Sequence, residues 1–130
     1  MKRFTIVLLA VFLAGCGHKP IYNVSDPVPP QAQKLSFEQI EMLIVEAGQL
    51  RGWKFDRAGA GHLIARQEQA KYSAVIDIYF DATAYRIVYQ SSSGMQATND
   101  GNIHEHYNFW IRNLEHDIDT RLANAPMTVR

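Results

Sequence analysis

The sequence predicts an α+β domain in which an N-terminal and a C-terminal helix pack on one face of a four-stranded antiparallel sheet, in the order α-β-β-β-β-α. Apolar residues recur at helical spacing over residues 37–51 and again over 103–122. Between these segments, residues 71–91 alternate apolar and polar side chains, which is typical of half-buried strands. Helices at both ends of a run of strands favour a fold that keeps its helices on one face of the sheet.

Both helices carry local start signals. Ser36 can cap the first helix, and Gln39, three residues later, completes a capping box. Gly52 suits the left-handed conformation that commonly ends a helix. In the last helix Asn102 is the expected cap, with Glu105 at the reciprocal position. The apolar stripe of this helix comprises Ile103, Tyr107, Trp110, Ile111, Leu114, Ile118 and Leu122.

Four strands are expected between the helices. They cover residues 53–57, 62–67, 71–80 and 84–91, with 62–67 as the candidate edge. The last two form a hairpin in which Phe80 faces Tyr85, because this register collects the large apolar side chains on one face. It also sets Ile78 opposite Ile87 and Ile76 opposite Tyr89. The other face carries Val75, Asp77, Tyr79, Arg86, Val88 and Gln90; since it is half apolar, it is either partly covered or used.

Residues 1–15 have the features of an export signal. A cationic start at 1–3 precedes an uncharged apolar run over 4–13. Ten residues of helix rise about 15 Å, roughly half of a hydrocarbon core, so this run is too short to span a membrane. The following Leu-Ala-Gly-Cys, residues 13–16, resembles the lipobox of bacterial lipoproteins. The resemblance implies cleavage before Cys16, a diacylglyceryl group on its sulfur and acylation of the new amine; the alternative is an ordinary secretory signal with a chance cysteine.

Charge and cysteine content narrow the function classes. The chain has 13 basic and 13 acidic residues and no basic run that would favour nucleic acid as a partner. Loss of residues 1–15 removes two basic residues, which leaves 11 basic and 13 acidic ones and a net charge of −2. Membrane attachment is therefore expected from the lipid on Cys16, the single cysteine. By the sorting rule of enteric-type lipoproteins, Gly17 implies export to the outer membrane.

Residues 16–34 are expected to be the lipidated cysteine and a flexible, proline-rich tether. Four prolines fall between Gly17 and Lys34, without apolar periodicity. An extended chain of this length, at ~3.1 Å per residue, would hold the domain up to about 55 Å from the bilayer. The alternative is a disordered leader with no required length. A single globular domain is expected over 35–124, followed by a flexible tail over 125–130.

One combination of segments is distinctive. It comprises residues 52–53, 74–79, 85–89 with Ser91, 103–104 and 107–114, and within it Tyr-Asn-x-Trp-Ile-x-Asn-Leu over 107–114 stands out. This combination is similar to a group of small proteobacterial lipoproteins of unknown function, over about residues 35–119. It departs at Gly94-Met95, where Asn-Leu is expected. The resemblance implies the fold class and the envelope compartment, and it implies no catalytic residue.

His104 and His106 are candidate metal ligands because they flank Glu105, and imidazole and carboxylate are good ligands for zinc or copper. On a continuous helix, however, side chains two positions apart point about 200° away from each other. One ion cannot then bind both rings. No metal or other cofactor is therefore expected.

The candidate binding residues lie on two elements. Tyr79 and Arg86 are expected on the outer sheet face, with Asp77 as a cross-strand charge neighbour of Arg86. Asn108 and Asn113 lie on the last helix, where they bond a neighbouring loop or face a partner. No catalytic residue is assigned, because the sequence has no Gly-x-Ser-x-Gly elbow and its single thiol is expected to carry lipid.

These features favour a non-enzymatic lipoprotein of the outer membrane that faces the periplasm and binds or scaffolds a partner. Besides the membrane itself, the expected partner is an envelope protein or peptidoglycan. The alternatives are a lipoprotein that binds a small ligand or a metal and, with less support, a cell-wall hydrolase.

Replacing Cys16 with serine should release the protein from membranes. Serine does not receive the lipid, and buried acyl chains contribute about 0.8 kcal/mol per CH₂ to membrane attachment. Fractionation of cells that produce the wild-type or the Cys16→Ser protein measures the effect. If the variant stays in the membrane fraction, the lipobox interpretation is wrong.

Overall fold

The computed structural model of this protein describes residues 18–125, which form an α+β domain, as the sequence predicts. Its elements are β1 (His18–Pro20), β2 (Val24–Pro27), a 3₁₀ helix (Ala32–Lys34), α1 (Phe37–Gln49), β3 (Lys54–Gly59), β4 (His62–Glu68), β5 (Ser73–Phe80), β6 (Ala84–Ser93), β7 (Asn102–His104) and α2 (Glu105–Ala123). The predicted signal peptide, Cys16 and the tail after Ala125 lie outside the described residues. Neither helix of the described segment combines the length and hydrophobicity needed to cross a membrane.

The strands form two antiparallel sheets, so the prediction of a single four-stranded sheet is correct only in part. The larger sheet has five strands in the order β2-β6-β5-β4-β3, and β1 pairs with β7 in a second, two-stranded sheet. The four predicted strands are present as β3 to β6. The predicted edge over 62–67 is wrong, because β4 lies between β3 and β5.

The register of the β5–β6 hairpin is as predicted. Phe80 lies opposite Tyr85, and further along the pair Ile78 faces Ile87 and Ile76 faces Tyr89. A bulge then shifts the register, so that Val75 faces Ser91 and β6 continues to Ser93. This register places the large apolar side chains of both strands on one face.

That inner face packs against both helices. Phe37 of α1 stacks on Phe80 with ring centroids 4.8 Å apart, and Tyr107 of α2 meets Tyr89 edge-on at 5.4 Å. The largest fully buried side chains are Tyr85, Tyr107, Ile40, Ile44, Ile76, Ile78, Ile87, Met95, Ile103, Ile111, Leu114 and Ile118. Since both described helices lie on this side, neither covers the outer face of the sheet.

Helix α1 has the local signals that its sequence predicts. The Ser36 hydroxyl accepts a hydrogen bond from the Gln39 amide at 3.2 Å, and the Gln39 side chain accepts one from the Ser36 amide at 2.9 Å. The helix ends at Gln49, two residues before the predicted end, and Gly52 follows with a φ of +88°. A residue without Cβ adopts this left-handed conformation without strain.

The prediction of a flexible tether is wrong from His18 onward, because the segment over 18–34 is part of the fold. Val24, Val28 and Ala32 are at most 2% exposed. Burying each valine contributes about 1.5–3 kcal/mol relative to solvent. Pro27 is compatible with pairing because it ends β2, which is an edge strand with β6 as its one neighbour.

The start of the last helix also differs from the prediction. Asn102 does not cap it; residues Asn102–His104 form β7, which pairs with β1. The helix begins at Glu105, and its cap is His104, whose Nδ1 accepts from the His106 amide at 3.1 Å. The short strand takes precedence because it satisfies backbone groups of two segments at once.

Replacing Gly94 with alanine should lower the free energy of unfolding by about 3 kcal/mol or more. Gly94 has a φ of +74°, and a Cβ there would collide with the Lys71 carbonyl oxygen. Gly101→Ala is the matched control, because Gly101 has a φ of +87° with open space around it, and should cost about 1 kcal/mol. Urea denaturation measures both; equal losses would contradict the proposed collision.

Candidate functional site

Three planar side chains are stacked on the outer face of the sheet. Tyr79 of β5 lies opposite Arg86 of β6 and His62 of β4 in the two strand pairings. The His62 and Tyr79 rings stack with centroids 4.4 Å apart, and the Arg86 guanidinium lies 4.8 Å from the Tyr79 centroid. Because β5 lies between β4 and β6, His62 and Arg86 approach Tyr79 from opposite sides. Both predicted binding residues of the sheet therefore belong to one array, and His62 is its third member.

Asp77 is hydrogen-bonded to His62 and forms no ion pair with Arg86, its predicted charge neighbour. His62 Nε2 lies 2.6 Å from Asp77 Oδ1, and Gln90 Nε2 donates to Asp77 Oδ2 at 3.2 Å. The reason is the register, which places Asp77 opposite Val88. Within the described residues the Arg86 guanidinium has no carboxylate partner.

A cavity of about 260 Å³ lies beside this array, and its walls include Ser25, Asp81 and Arg86. Asp81 forms no ion pair with Arg86; its Oδ1 accepts from the amides of Thr83 and Ala84 at 2.8 and 2.9 Å. These hydrogen bonds lower the pKa of Asp81 and keep it ionised. Arg86 thus presents a cationic hydrogen-bond donor to the cavity.

Asn108 holds the N-terminal segment and does not face a partner. It is 2% exposed; its Oδ1 accepts from the Tyr22 amide and its Nδ2 donates to the Pro20 carbonyl oxygen, both at 2.9 Å. Asn113 is half-buried beside Trp53 and Trp110 in a separate cavity of about 230 Å³. The structure therefore separates two asparagines that looked equivalent in the sequence.

His104 and His106 serve as aromatic neighbours of Tyr72. The Tyr72 ring lies 5.6 Å from the His104 ring and 4.6 Å from the His106 ring, centroid to centroid. One ring nitrogen of His104 is occupied by the His106 amide. Among the described residues no third ligating side chain joins the two histidines.

Three carboxylates that the sequence did not bring together meet where β2 packs against α2. One oxygen each of Asp26, Glu115 and Asp119 lies within 4.8 Å of the others. The Tyr22 hydroxyl donates to Glu115 at 2.6 Å, and the Tyr85 hydroxyl donates to Asp119 at 2.6 Å. We call these five residues the carboxylate cluster. Glu115 and Asp119 are four residues apart, so they share a helix face, but Asp26 lay in the predicted tether.

Burial and mutual proximity favour the protonated forms in this cluster. Burial, followed by a hydrogen bond with Asp26, raises the pKa of Glu115 to about 7. Burial also raises the pKa of Asp119 and that of the Tyr85 hydroxyl. The hydrogen bond to Glu115 raises the pKa of Tyr22 to about 12. A proton and two tyrosine hydroxyls thus compensate the carboxylates, and we assign no metal to them.

Comparison of the chain with protein-family models, with curated proteins and with solved structures gave no match. The resemblance to small lipoproteins therefore stays a prediction. The contacts, charges and exposed surfaces of residues 18–125 are what supports a function.

Replacing Asn108 with alanine should destabilise the domain by about 2–3 kcal/mol. The change leaves two backbone groups of the N-terminal segment, the Tyr22 amide and the Pro20 carbonyl, without their partner. Asn113→Ala is the matched control on the same helix, and it should change the free energy of unfolding by less than about 0.5 kcal/mol. Chemical denaturation measures both, and similar losses would contradict the assigned role of Asn108.

Proposed function

We propose that this protein is a lipid-anchored envelope protein whose domain binds an anionic partner through the outer face of its sheet and catalyses no reaction. The observation that carries the proposal is the Arg86 guanidinium, which has no carboxylate partner among residues 18–125. It is held against Tyr79 on a sheet face that neither described helix covers. The predicted export signal and Cys16 support anchoring in the outer membrane on its periplasmic side.

Arg86 suits an anion because its position is fixed before a partner arrives. Stacking on an aromatic ring fixes the plane of a guanidinium group. Its N–H donors lie in that plane, where two of them can bind the two oxygens of a carboxylate or a phosphate. Arg86 forms no ion pair with Asp77 or with Asp81, whose carboxylates are hydrogen-bonded to other groups. Carboxylates of an envelope protein or of peptidoglycan stem peptides have the complementary chemistry.

The ring faces of Tyr79 are occupied, which bears on the kind of partner. His62 covers one face and Arg86 the other. A sugar that needs an open aromatic face for stacking therefore has no platform at Tyr79. This surface can therefore bind a partner through the charge of Arg86 and through the edges of the stacked side chains.

The His62–Asp77 pair is the one arrangement that favours the alternative of a hydrolase. A histidine oriented by a carboxylate can act as a general base. Within the described residues, however, no serine, threonine or tyrosine hydroxyl is hydrogen-bonded to His62. We therefore infer that Asp77 holds the His62 ring in place against Tyr79 and that the pair is not catalytic.

The described segment also bears on where the domain lies. One residue, Gly17, separates Cys16 from His18, the first residue of β1. The two Cα–Cα steps from Cys16 to His18 span at most about 7 Å. With β1 docked, a lipid on Cys16 would therefore hold the β1–β7 sheet close to the membrane surface.

Replacing Arg86 with alanine should reduce partner capture by about tenfold or more, because charge-assisted hydrogen bonds contribute roughly 1.5–3 kcal/mol. Capture is measured in intact cells with a photo-crosslinking residue at Val88, on the same face. Arg66→Ala is the matched control, because Arg66 is already paired with Asp56 at 2.7 Å; it should change the yield by less than about twofold.

A second crosslinking position tests the surface itself. Met42 is exposed on α1, so a photo-crosslinker there should give no Arg86-dependent product. Equal yields from Val88 and Met42, or equal effects of the two arginine variants, would contradict the proposal. Turnover of a cell-wall substrate by the purified protein would contradict its non-enzymatic part.

A further inference from the structure

The N-terminal segment is fastened to α2 along one seam. Tyr22 contributes its amide to Asn108 and its hydroxyl to Glu115, and Asp26 lies against Glu115 and Asp119. Backbone hydrogen bonds also hold this segment, because β1 pairs with β7 and β2 pairs with β6. Between and after these strands, the Ile21 amide donates to the Gly101 carbonyl and the Val28 amide to the Thr83 carbonyl, both at 2.9 Å. The carboxylate cluster is therefore placed between the segment that follows the predicted lipid and the body of the domain.

We propose that the carboxylate cluster is a proton-dependent clamp, which holds β2 on the domain while one carboxyl is protonated and weakens when Asp26, Glu115 and Asp119 are all ionised. The device regulates the docking of the N-terminal segment, which is distinct from partner binding at Arg86.

The charges around the cluster set the direction of the effect. A protonated Glu115 donates a hydrogen bond to Asp26 and so joins α2 to β2. Loss of that proton leaves three negatively charged carboxylates within 4.8 Å of one another. Tyr22 and Tyr85 are neutral donors to the cluster. The cationic side chains that act on the carboxylate cluster are Arg112 and His116, and both lie on α2.

The sign follows from the raised pKa of Glu115. A carboxyl that binds its proton more tightly in the docked state stabilises docking fully below its ordinary pKa of 4.5, and loses that stabilisation as the pH rises through about 7. Asp26, Glu115 and Asp119 are each only partly buried, so water reaches their carboxyl groups. Proton exchange therefore needs no opening of the core.

Docking changes the distance that the segment can span. When β1 is docked, only Gly17 lies between Cys16 and the first residue of β1, a distance of at most about 7 Å. If the chain were released as far as Lys34, it could extend to about 55 Å, which its prolines favour. Burial of Val24 and Val28 opposes release, so the clamp changes the population of the released state while the rest of the domain stays folded.

Amide hydrogen exchange of the full-length protein between pH 5 and 8 tests the clamp. The protection factors of the Tyr22 and Val28 amides, relative to those of β5, should fall as the pH rises, by up to about tenfold per pH unit. Glu115→Gln keeps the shape and the hydrogen bonds of a protonated carboxyl, so its protection should stay independent of pH. Glu38→Gln, on the exposed side of α1, is the control and should behave as the wild type does.

Two results of these measurements would overturn the clamp. One is constant protection of the wild-type amides between pH 5 and 8; the other is the same pH dependence in Glu115→Gln as in the wild type. Asp26→Asn supplies a second test should Glu115→Gln fold poorly, and it too should remove most of the pH dependence. Repetition with a chelator separates protons from cations; loss of the effect in chelator would overturn the proposal.

Discussion

The pairing of Phe80 with Tyr85 decides which side chains of the sheet meet the helices and which meet solvent. Side chains alternate along a strand, so a slip of one residue would turn the side chains of one of the two strands over. It would bring either Asp77 into the core and expose Ile78, or bring Arg86 into the core and expose Ile87. Burying either charge without a partner would cost several kcal/mol. The register that avoids this cost also places Tyr85 inside, and its hydroxyl enters the core with it.

The buried hydroxyl of Tyr85 connects the apolar core to the N-terminal segment. A buried hydroxyl without a partner costs about 1–3 kcal/mol, so its position demands an acceptor. Asp119 of α2 provides one at 2.6 Å, and Asp26 of β2 lies 3.2 Å from the same oxygen. Hence a tyrosine selected by the hairpin register also favours the docking of β2 beside β6, and the fifth strand of the sheet depends on a polar contact.

The features that could be predicted from the sequence are those with local causes. The capping box of Ser36 and Gln39 spans four residues, and the alternation that fixes Phe80 opposite Tyr85 lies within one hairpin. The docking of the N-terminal segment has a distant cause, since Val24 pairs with Ile87 and its prolines locally favour a linker. For the same reason the sequence left open whether Asn108 bonds a loop or faces a partner, because Pro20 and Tyr22, to which it is bonded, are more than 80 residues away.

Strand β2 contributes both to the outer sheet face beside Arg86 and to the carboxylate cluster, because consecutive side chains on a strand point to opposite faces. Ser25 lies opposite Arg86 and lines the outer cavity, whereas Asp26 lies opposite Tyr85 and belongs to the carboxylate cluster. A displacement of β2 that separates Asp26 from Glu115 must also remove Ser25 from the wall beside Arg86. It would leave the β6 edge without its neighbour, so the backbone groups of that edge would become available for pairing. The clamp and the binding face are therefore coupled through a single edge strand, without any change in the central hairpin.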